Sequence, residues 1–170
     1  AGCTCVAGSF GTGACEVCPA GMKCVGGSSK VTCPALTTSP PGASECSCIA
    51  GFYGVEGGCA ECHPGQYCIG NGIEQACPAD TLSTPAATVI SDCKCPPGKF
   101  GKGGYDCNPC TPGSFCPGGG VKSECQEHAT SSASSFSLVA CICTPGYKPE
   151  GDACLLCAPG FYCPGGKEGG

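Results

Sequence analysis

The sequence predicts a small disulfide-rich fold, an elongated tandem array of cysteine-rich repeats made of short β-hairpins and turns with essentially no helix. Three observations predict it. The 170 residues include 23 Cys, 30 Gly and 16 Pro, and such a cysteine content marks a disulfide scaffold. The cysteines recur in similar groups every 43 to 48 residues, as in repeat proteins. Gly or Pro interrupts nearly every window, so no apolar helical spacing lasts beyond two turns.

Composition also predicts the compartment. Cysteine and alanine make up more than half of the hydrophobic residues, so covalent cross-links must replace much of an ordinary core. Disulfides in this number persist in an oxidising setting, which predicts an extracellular location, secreted or at the cell surface. No apolar run approaches the ~20 residues that span a bilayer, so we expect no membrane insertion in this segment.

The charge of the chain limits the classes of partner that we expect. The formal net charge is −5, with eight Lys and no Arg. Arginine is the residue best suited to phosphate and base-edge recognition. Nucleic acid and anionic membranes are therefore not expected as partners.

The cysteines fall into groups of six, of which the fourth lacks its last member. These groups predict four cysteine-rich repeats, at residues 1–45, 46–92, 93–140 and 141–170. Within a group, the steps from first to second, third to fourth, fourth to fifth and fifth to sixth Cys are always 2, 3, 6 and 9 residues. The steps from second to third Cys and from sixth to the next first Cys vary, as expected of exposed loops between pinned ends.

Two motifs build each repeat. The first, as in CSCIAGFYGVEGGC, resembles the C-terminal half of an EGF-like domain and places Gly three residues after the second Cys, at Gly8, Gly51, Gly98 and Gly146. The second, as in CTPGSFC, has Pro-Gly between the fourth and fifth Cys. Together they resemble the ephrin-receptor-like cysteine-rich repeats, relatives of the tumour-necrosis-factor-receptor modules. Such a resemblance implies an extracellular array that serves as a receptor ectodomain or as a stalk.

The EGF-like loop and the fixed spacings suggest a disulfide pairing, of second with third, fourth with sixth and fifth with the next first Cys. The predicted bonds are Cys5–Cys15, Cys48–Cys59, Cys95–Cys107 and Cys143–Cys154; Cys18–Cys33, Cys62–Cys77 and Cys110–Cys125; and Cys24–Cys46, Cys68–Cys93 and Cys116–Cys141. Cys3, Cys157 and Cys163 are then left unpaired. That remainder predicts that these residues are one part of a longer array.

The same CxxC spacing also suits a zinc half-site or a redox centre. A zinc site of four cysteines would leave the CxC pair over in every repeat, and a redox centre lacks the helix that lowers a thiol pKa. We interpret the two histidines, His63 and His128, as solvated loop residues and not as catalytic bases. We therefore expect disulfides, no metal or other cofactor and no enzymatic activity.

The segments from the sixth Cys to the next first Cys are rich in Ser and Thr and are candidate O-glycan carriers, with a plain polar loop as the alternative. The candidate acceptors are Thr37, Thr38, Ser39, Thr81, Ser83, Thr84, Thr130, Ser131 and Ser132.

The sequence thus favours a structural protein, a stretch of a long disulfide-stapled array forming a filament, flagellar hair or surface stalk. Its expected partners are copies of itself or neighbouring repeats in a polymer, with covalent glycans. The alternative is the ligand-binding ectodomain of a cell-surface receptor.

Overall fold

The computed structural model describes residues 4–166, and nearly all of its regular structure is two-stranded antiparallel hairpins. The strands are β1 Ser9–Phe10, β2 Glu16–Val17, β3 Met22–Lys23, β4 Val31–Thr32, β5 Thr37–Thr38, β6 Ser47–Cys48, β7 Phe52–Val55, β8 Gly58–Glu61, β9 Gln66–Tyr67, β10 Gln75–Ala76, β11 Lys99–Phe100, β12 Asn108–Pro109, β13 Ser114–Gly118, β14 Val121–Glu124, β15 Ala129–Thr130, β16 Ile142–Cys143, β17 Tyr147–Glu150 and β18 Ala153–Leu156. Each odd-numbered strand pairs with the next even-numbered one. Helical residues in the described range are confined to 3-10 turns at Ile90–Asp92 and Leu138–Ala140. The predicted fold class is confirmed.

The chain divides into two compact units. The first contains the residues up to Cys77 together with Ser83–Val89, and it holds β1 to β10. The second contains Pro78–Leu82 and the residues from Ile90 onward, and it holds β11 to β18. The division into four repeat domains, which the cysteine spacing predicts, stays a prediction.

The longest hairpins turn at glycine. β7 and β8 pair from Phe52↔Glu61 to Val55↔Gly58, and Gly57 in the turn has φ +91°. β17 and β18 pair from Tyr147↔Leu156 to Glu150↔Ala153, with Gly151 at φ +58°. Two-residue hairpin turns need such left-handed backbone, which glycine adopts without steric cost.

Sulfur forms most of the core. Among the described residues, the hydrophobic side chains that are buried are Ala87 and cysteines, seven of which have no exposed surface: Cys18, Cys24, Cys62, Cys68, Cys93, Cys110 and Cys116. Large apolar side chains such as Val17 and Leu156 lie mostly exposed. Cross-linking thus replaces burial of large apolar side chains as the main constraint on the chain.

The predicted bonds between second and third Cys are confirmed: Cys5–Cys15, Cys48–Cys59, Cys95–Cys107 and Cys143–Cys154. Each links a cysteine four residues before the first strand of a hairpin to a cysteine at or next to the start of its second strand. In the second repeat, β7 and β8 bring the Cα atoms of Cys48 and Cys59 to 5.8 Å, within the range of a disulfide.

The predicted fourth-to-sixth bonds Cys18–Cys33, Cys62–Cys77 and Cys110–Cys125 are wrong, and so are the predicted fifth-to-first bonds Cys24–Cys46, Cys68–Cys93 and Cys116–Cys141. The structure instead joins fourth to fifth Cys, as Cys18–Cys24, Cys62–Cys68 and Cys110–Cys116. The Pro-Gly turn is the reason, because it reverses the chain within six residues and brings the two Cα atoms to 5.8–6.0 Å.

The sixth Cys pairs with the next first Cys, in Cys33–Cys46 and Cys125–Cys141. Cys77 and Cys93, at the same two places in the second group, are also disulfide-bonded. Hairpins β5–β6 and β15–β16 run between Cys33 and Cys48 and between Cys125 and Cys143, so each of the two segments is folded back and closed on itself.

Cys157 and Cys163 were predicted to be unpaired, and that prediction is wrong. They bond to each other across a six-residue separation, with Cα atoms 6.0 Å apart, because their segment also contains the Pro-Gly turn. Cys3 lies outside the described residues. The expectation of a longer array loses the support that these two cysteines gave it.

Candidate functional site

The repeated feature of the structure is a small loop that is hydrogen-bonded to a longer one, a contact that we call the clasp. We call the segments from fourth to fifth Cys the inner loops, at 18–24, 62–68, 110–116 and 157–163. We call the segments from sixth to next first Cys the connectors, at 33–46, 77–93 and 125–141. Each inner loop turns at a left-handed glycine, as at Gly65 with φ +78°.

Part of a connector hydrogen-bonds along three of the inner loops. In the second repeat the bonds are Ala86 N to Cys62 O at 3.0 Å, Cys68 N to Ala87 O at 2.9 Å and Gly65 N to Ser83 O at 3.2 Å. The first and third repeats form the corresponding bonds: Gly42 N to Cys18 O, Cys24 N to Ala43 O and Gly21 N to Ser39 O, then Ser134 N to Cys110 O, Cys116 N to Ser135 O and Gly113 N to Ser131 O. The connector thereby occupies backbone groups that would otherwise need water.

A serine hydroxyl adds a fourth bond at the same place each time. It stands six residues after the sixth Cys and donates to a carbonyl of the inner loop: Ser39 to Met22 O at 2.5 Å, Ser83 to Gln66 O at 2.6 Å and Ser131 to Ser114 O at 2.6 Å. The sequence analysis grouped these serines with the glycan candidates. Their role follows only from the contact between segments 17 residues apart.

The structure separates the nine glycan candidates into two classes. Ser39, Thr81 and Ser131 are buried, and their hydroxyls donate to backbone carbonyls. Half-buried Thr37 and Ser83 also donate, Thr37 to Pro34 O and Ser83 as above. The four exposed candidates, Thr38, Thr84, Thr130 and Ser132, remain suitable acceptors in the folded chain, because a glycan needs a free and accessible hydroxyl.

The glycine after the second Cys is where a connector and the EGF-like loop meet. Gly51 N donates to Cys68 O, and Gly51 O accepts from Cys62 N. Its φ is +86°, and a Cβ there would lie 2.8 Å from Ala86 O. Side-chain carbons do not approach a carbonyl oxygen so closely, so the position requires glycine both for its φ and for space.

Non-glycine residues also take left-handed backbone at fixed places in the connectors. Ala86 has φ +59° and Ser134 has φ +60°, at the position of Gly42 in the first connector. Leu36, Asp80 and His128 share a second such position, with φ +61° to +62°. Sequence reasoning missed these positions because their residue types differ, although their equal distance from the sixth Cys was available as a signal.

The aromatic residue beyond this glycine meets a cationic or imidazole side chain in every repeat. Lys30 Nζ lies 4.4 Å from the ring centroid of Phe10 and Lys122 Nζ 5.4 Å from that of Phe100. Such cation–π contacts contribute about 0.5–1 kcal/mol at exposed sites. Tyr53 and Tyr147 instead contact His63 and His128, with ring centroids 5.2 and 3.9 Å apart.

His63 belongs to a surface chain of hydrogen bonds. Glu74 Oε1 accepts from the His63 backbone N–H at 2.8 Å and lies 2.7 Å from its Nδ1, and the Tyr53 hydroxyl lies 3.5 Å from Nε2. Partial burial raises the pKa of the Glu74 carboxyl, but the bonds and charge of His63 outweigh it, so the pKa lies below its ordinary value. The exposed Glu124 also has a lowered pKa, caused first by the bond from Ser114 and then by Lys122.

The same region contains three atoms at metal-binding distances. Sγ of Cys62, Sγ of Cys68 and a carboxylate oxygen of Glu74 lie within 4.8 Å of one another. Both sulfurs are joined in a disulfide, so they supply no thiolate, which is the form that binds zinc. Every cysteine of residues 4–166 is disulfide-bonded, and the zinc half-site considered for the CxxC motifs is therefore not formed in this range.

No protein-family model matches this sequence, and a search of characterised proteins found no similar chain. Among residues 4–166, no helix has the length and apolar character needed to cross a membrane. The density of disulfides places the chain in an oxidising, extracellular environment.

Proposed function

We propose that this chain is a structural segment of an extracellular array, related to the ephrin-receptor-like repeats, whose role is mechanical and not enzymatic. The observation that carries the proposal is the clasp, which three successive repeats form with the same four hydrogen bonds around a fully buried disulfide. Between repeats the side chains change while this backbone framework stays constant. A protein selected for a uniform, cross-linked backbone framework has this property.

The chemistry of the clasp supports the same proposal. Its sulfurs are oxidised and its serine hydroxyls are committed to backbone carbonyls, so these groups stabilise the loops and are not presented to a substrate. Each local disulfide, closing 6 to 16 residues, removes unfolded-state entropy worth about 2–3 kcal/mol in the chain-entropy model. Distributed cross-links of this kind resist unfolding at every repeat.

The test is the state of the native material. We expect protein extracted from the extracellular fraction without reductant to sediment as a polymer, and antibodies against this chain to label filaments or stalks at regular intervals in electron microscopy. Disulfide-linked or laterally packed polymer supports the structural role. A monodisperse monomer that captures a protein ligand would contradict it.

One observation favours the receptor alternative. The third connector exposes Phe136, Leu138 and Val139, and the last two line a cavity of about 350 Å³ together with Gln126. The Oε1 atom of Gln126 is buried and has no hydrogen-bond partner among the described residues. An exposed apolar group beside an unpaired polar atom is a feature of binding surfaces. If the receptor role holds, Val139→Ser should abolish ligand capture without changing the disulfide pattern.

A further inference from the structure

The hairpin of the third repeat carries a wider loop than the other hairpins that lie between a second and a third Cys. In the second and fourth repeats, β7–β8 and β17–β18 pair over four residues and close through a two-residue turn. Strands β11 and β12 pair over only two residues. Residues 101–107 therefore form a loop outside the pairing, which we call the third-repeat loop.

Backbone hydrogen bonds and a disulfide hold the third-repeat loop in place. Gly104 is buried, and its N–H donates to Cys93 O, 2.7 Å away at the end of the second connector. Tyr105 N donates to Lys102 O at 3.1 Å within the loop, and Cys95–Cys107 fixes the end of the loop. Side chains on a backbone held in this way are preorganised, which lowers the entropic cost of binding a ligand.

A cavity of about 410 Å³ lies at this loop. It is lined by Gly101, Lys102, Tyr105, Asp106 and Asn108, and all of these except the glycine are exposed. Its volume lies within the range of small-molecule sites. The cavity is therefore large enough for a ligand the size of one sugar ring, and its side chains are accessible to that ligand.

The polar side chains of the cavity offer both kinds of hydrogen-bonding group. The Asp106 carboxylate can only accept, the Lys102 ammonium can only donate, and the Asn108 amide can do both. Within residues 4–166, neither the Asp106 carboxylate nor the Asn108 amide has a hydrogen-bond or ion-pair partner in the chain. One positive and one negative charge balance, so the cavity favours neither a phosphate nor an ammonium ligand.

Tyr105 supplies the apolar surface of the cavity. It is 58% exposed, and Lys102 Nζ lies 5.6 Å from the centroid of its ring. An aromatic ring packs against apolar groups, while the tyrosine hydroxyl stays free to form hydrogen bonds. The matching ligand is neutral, has one apolar face and carries several groups that each donate and accept. A saccharide ring has these properties, since its C–H bonds form the apolar face and its hydroxyls both donate and accept.

We propose that the third-repeat loop binds one hexose unit of a neutral glycan. Tyr105 packs against the C–H face of the sugar, Asp106 and Asn108 bond to its hydroxyls, and Lys102 donates to one of its oxygens. A peptide suits the cavity less well, because residues 101–107 offer neither a strand edge nor an apolar groove. The site goes beyond the structural role, since a glycan held there links the chain to a polysaccharide or to the O-glycans of another chain.

The test is a titration of the oxidised, 15N-labelled chain, produced without glycans. The probes are the methyl glycosides of glucose, galactose and mannose. We expect at least one of them to give saturable shifts of the Tyr105 and Asp106 amide resonances, with a dissociation constant of about 10 mM or lower. The first repeat is an internal control, because Gly11 and Gly101 share φ +148° but residues 11–15 contain no aromatic or acidic side chain. The resonances of residues 11–15 should not move.

Variants of two exposed side chains test the assigned contacts. Tyr105→Ala should weaken binding at least about tenfold, whereas Tyr105→Phe keeps the ring and should stay within about threefold. Asp106→Ala removes the carboxylate and should also weaken binding about tenfold. Disulfide mapping of Cys95–Cys107 in each variant checks that the loop has formed.

Four outcomes would overturn the proposal. They are no saturable shift with any of the three glycosides, equal binding by Tyr105→Ala, shifts that spread to residues 11–15 with the same concentration dependence, and tighter binding of inorganic phosphate, n-butylammonium or the peptide acetyl-Gly-Ser-Gly-amide at the same loop.

A glycan array then identifies the source of the sugar. Binding to polysaccharide fragments supports attachment to a matrix, and binding to threonine-linked O-glycopeptides supports attachment to another glycosylated chain. In both cases Tyr105→Ala should lose the signal, and a signal that survives this substitution would overturn the proposed site. These results do not depend on whether the native material is polymeric, so the saccharide site and the structural role are tested separately.

Discussion

The Ser131 hydroxyl donates a hydrogen bond to the carbonyl oxygen of Ser114, 2.6 Å away, and both residues are buried. The bond joins a connector to an inner loop across 17 residues of sequence, as Ser39 and Ser83 do in the first two repeats. In all three repeats, a serine at the same place in the connector therefore holds the connector to the inner loop.

Replacing Ser131 should destabilise the contact between the third connector and its inner loop. We expect Ser131→Ala to lower the free energy of unfolding by about 1–2 kcal/mol, because a buried carbonyl loses its donor. Denaturant unfolding of the oxidised chain measures the loss, and faster exchange of the Gly113 amide locates it. The neighbouring exposed hydroxyl provides the matched control, Ser132→Ala, which should change stability by less than about 0.5 kcal/mol. Equal effects of the two variants would show that the Ser131 hydroxyl does not stabilise the contact between connector and inner loop.

The glycine after the second Cys should tolerate substitution only where no connector covers it. Gly146 has φ +93°, and a Cβ there would meet nothing within 4 Å, so Gly146→Ala should cost only the about 1–2 kcal/mol of left-handed backbone. Gly51→Ala adds a clash with Ala86 O, and we expect a larger loss and poor recovery of correctly paired disulfides. Unfolding curves and disulfide mapping compare the two. The interpretation fails if both alanines behave alike.

The inner-loop disulfides should differ in reactivity. Cys157–Cys163 is half-buried while Cys18–Cys24, Cys62–Cys68 and Cys110–Cys116 are fully buried, so we expect a phosphine reductant to open Cys157–Cys163 first among these four. Partial reduction under native conditions, followed by alkylation and mass spectrometry, gives the order and also checks the connectivity. Earlier opening of a buried inner-loop bond would contradict the burial pattern.

The Glu74 carboxyl should contribute stability that depends on pH. Its pKa lies below the ordinary 4.5 in the folded chain, so its contribution is present above pH 4.5 and is lost as the pH falls through the folded-state value. His63→Ala removes the ring and its charge but keeps the backbone N–H, and we expect a partial rise of the Glu74 pKa, measured by side-chain 13C NMR. Tyr53→Phe, which leaves both bonds to Glu74 in place, should change that pKa little. No rise in His63→Ala would show that the backbone bond alone sets the value.

We expect O-glycans to be attached only to the exposed Ser and Thr hydroxyls. We expect peptide mapping of native material to place sugars on Thr38, Thr84, Thr130 or Ser132, the exposed members of the Ser and Thr clusters. Ser39, Thr81 and Ser131 should be bare because their hydroxyls are buried and bonded. A glycan on Ser131 would be incompatible with the clasp as described, and an intact mass equal to the oxidised polypeptide would remove the glycan proposal altogether.

The sequence by itself determined the fold class, the repeat period and the bonds between second and third Cys such as Cys48–Cys59. These features depend on composition and on hairpins whose turn glycines, such as Gly57, lie close to the paired cysteines. Local chemistry is enough to specify them, since a short hairpin leaves few other partners within reach.

Only the tertiary structure decided the remaining pairing and the roles of the polar residues. The spacing of Cys62, Cys68 and Cys77 allows either a fourth-to-fifth or a fourth-to-sixth bond, and the choice depends on how tightly the turn at Gly65 reverses the chain. In the same way, Ser83 looks like any loop serine until the connector folds over the inner loop and brings its hydroxyl to Gln66 O. The physical reason is that both outcomes depend on contacts between segments that spacing alone does not orient.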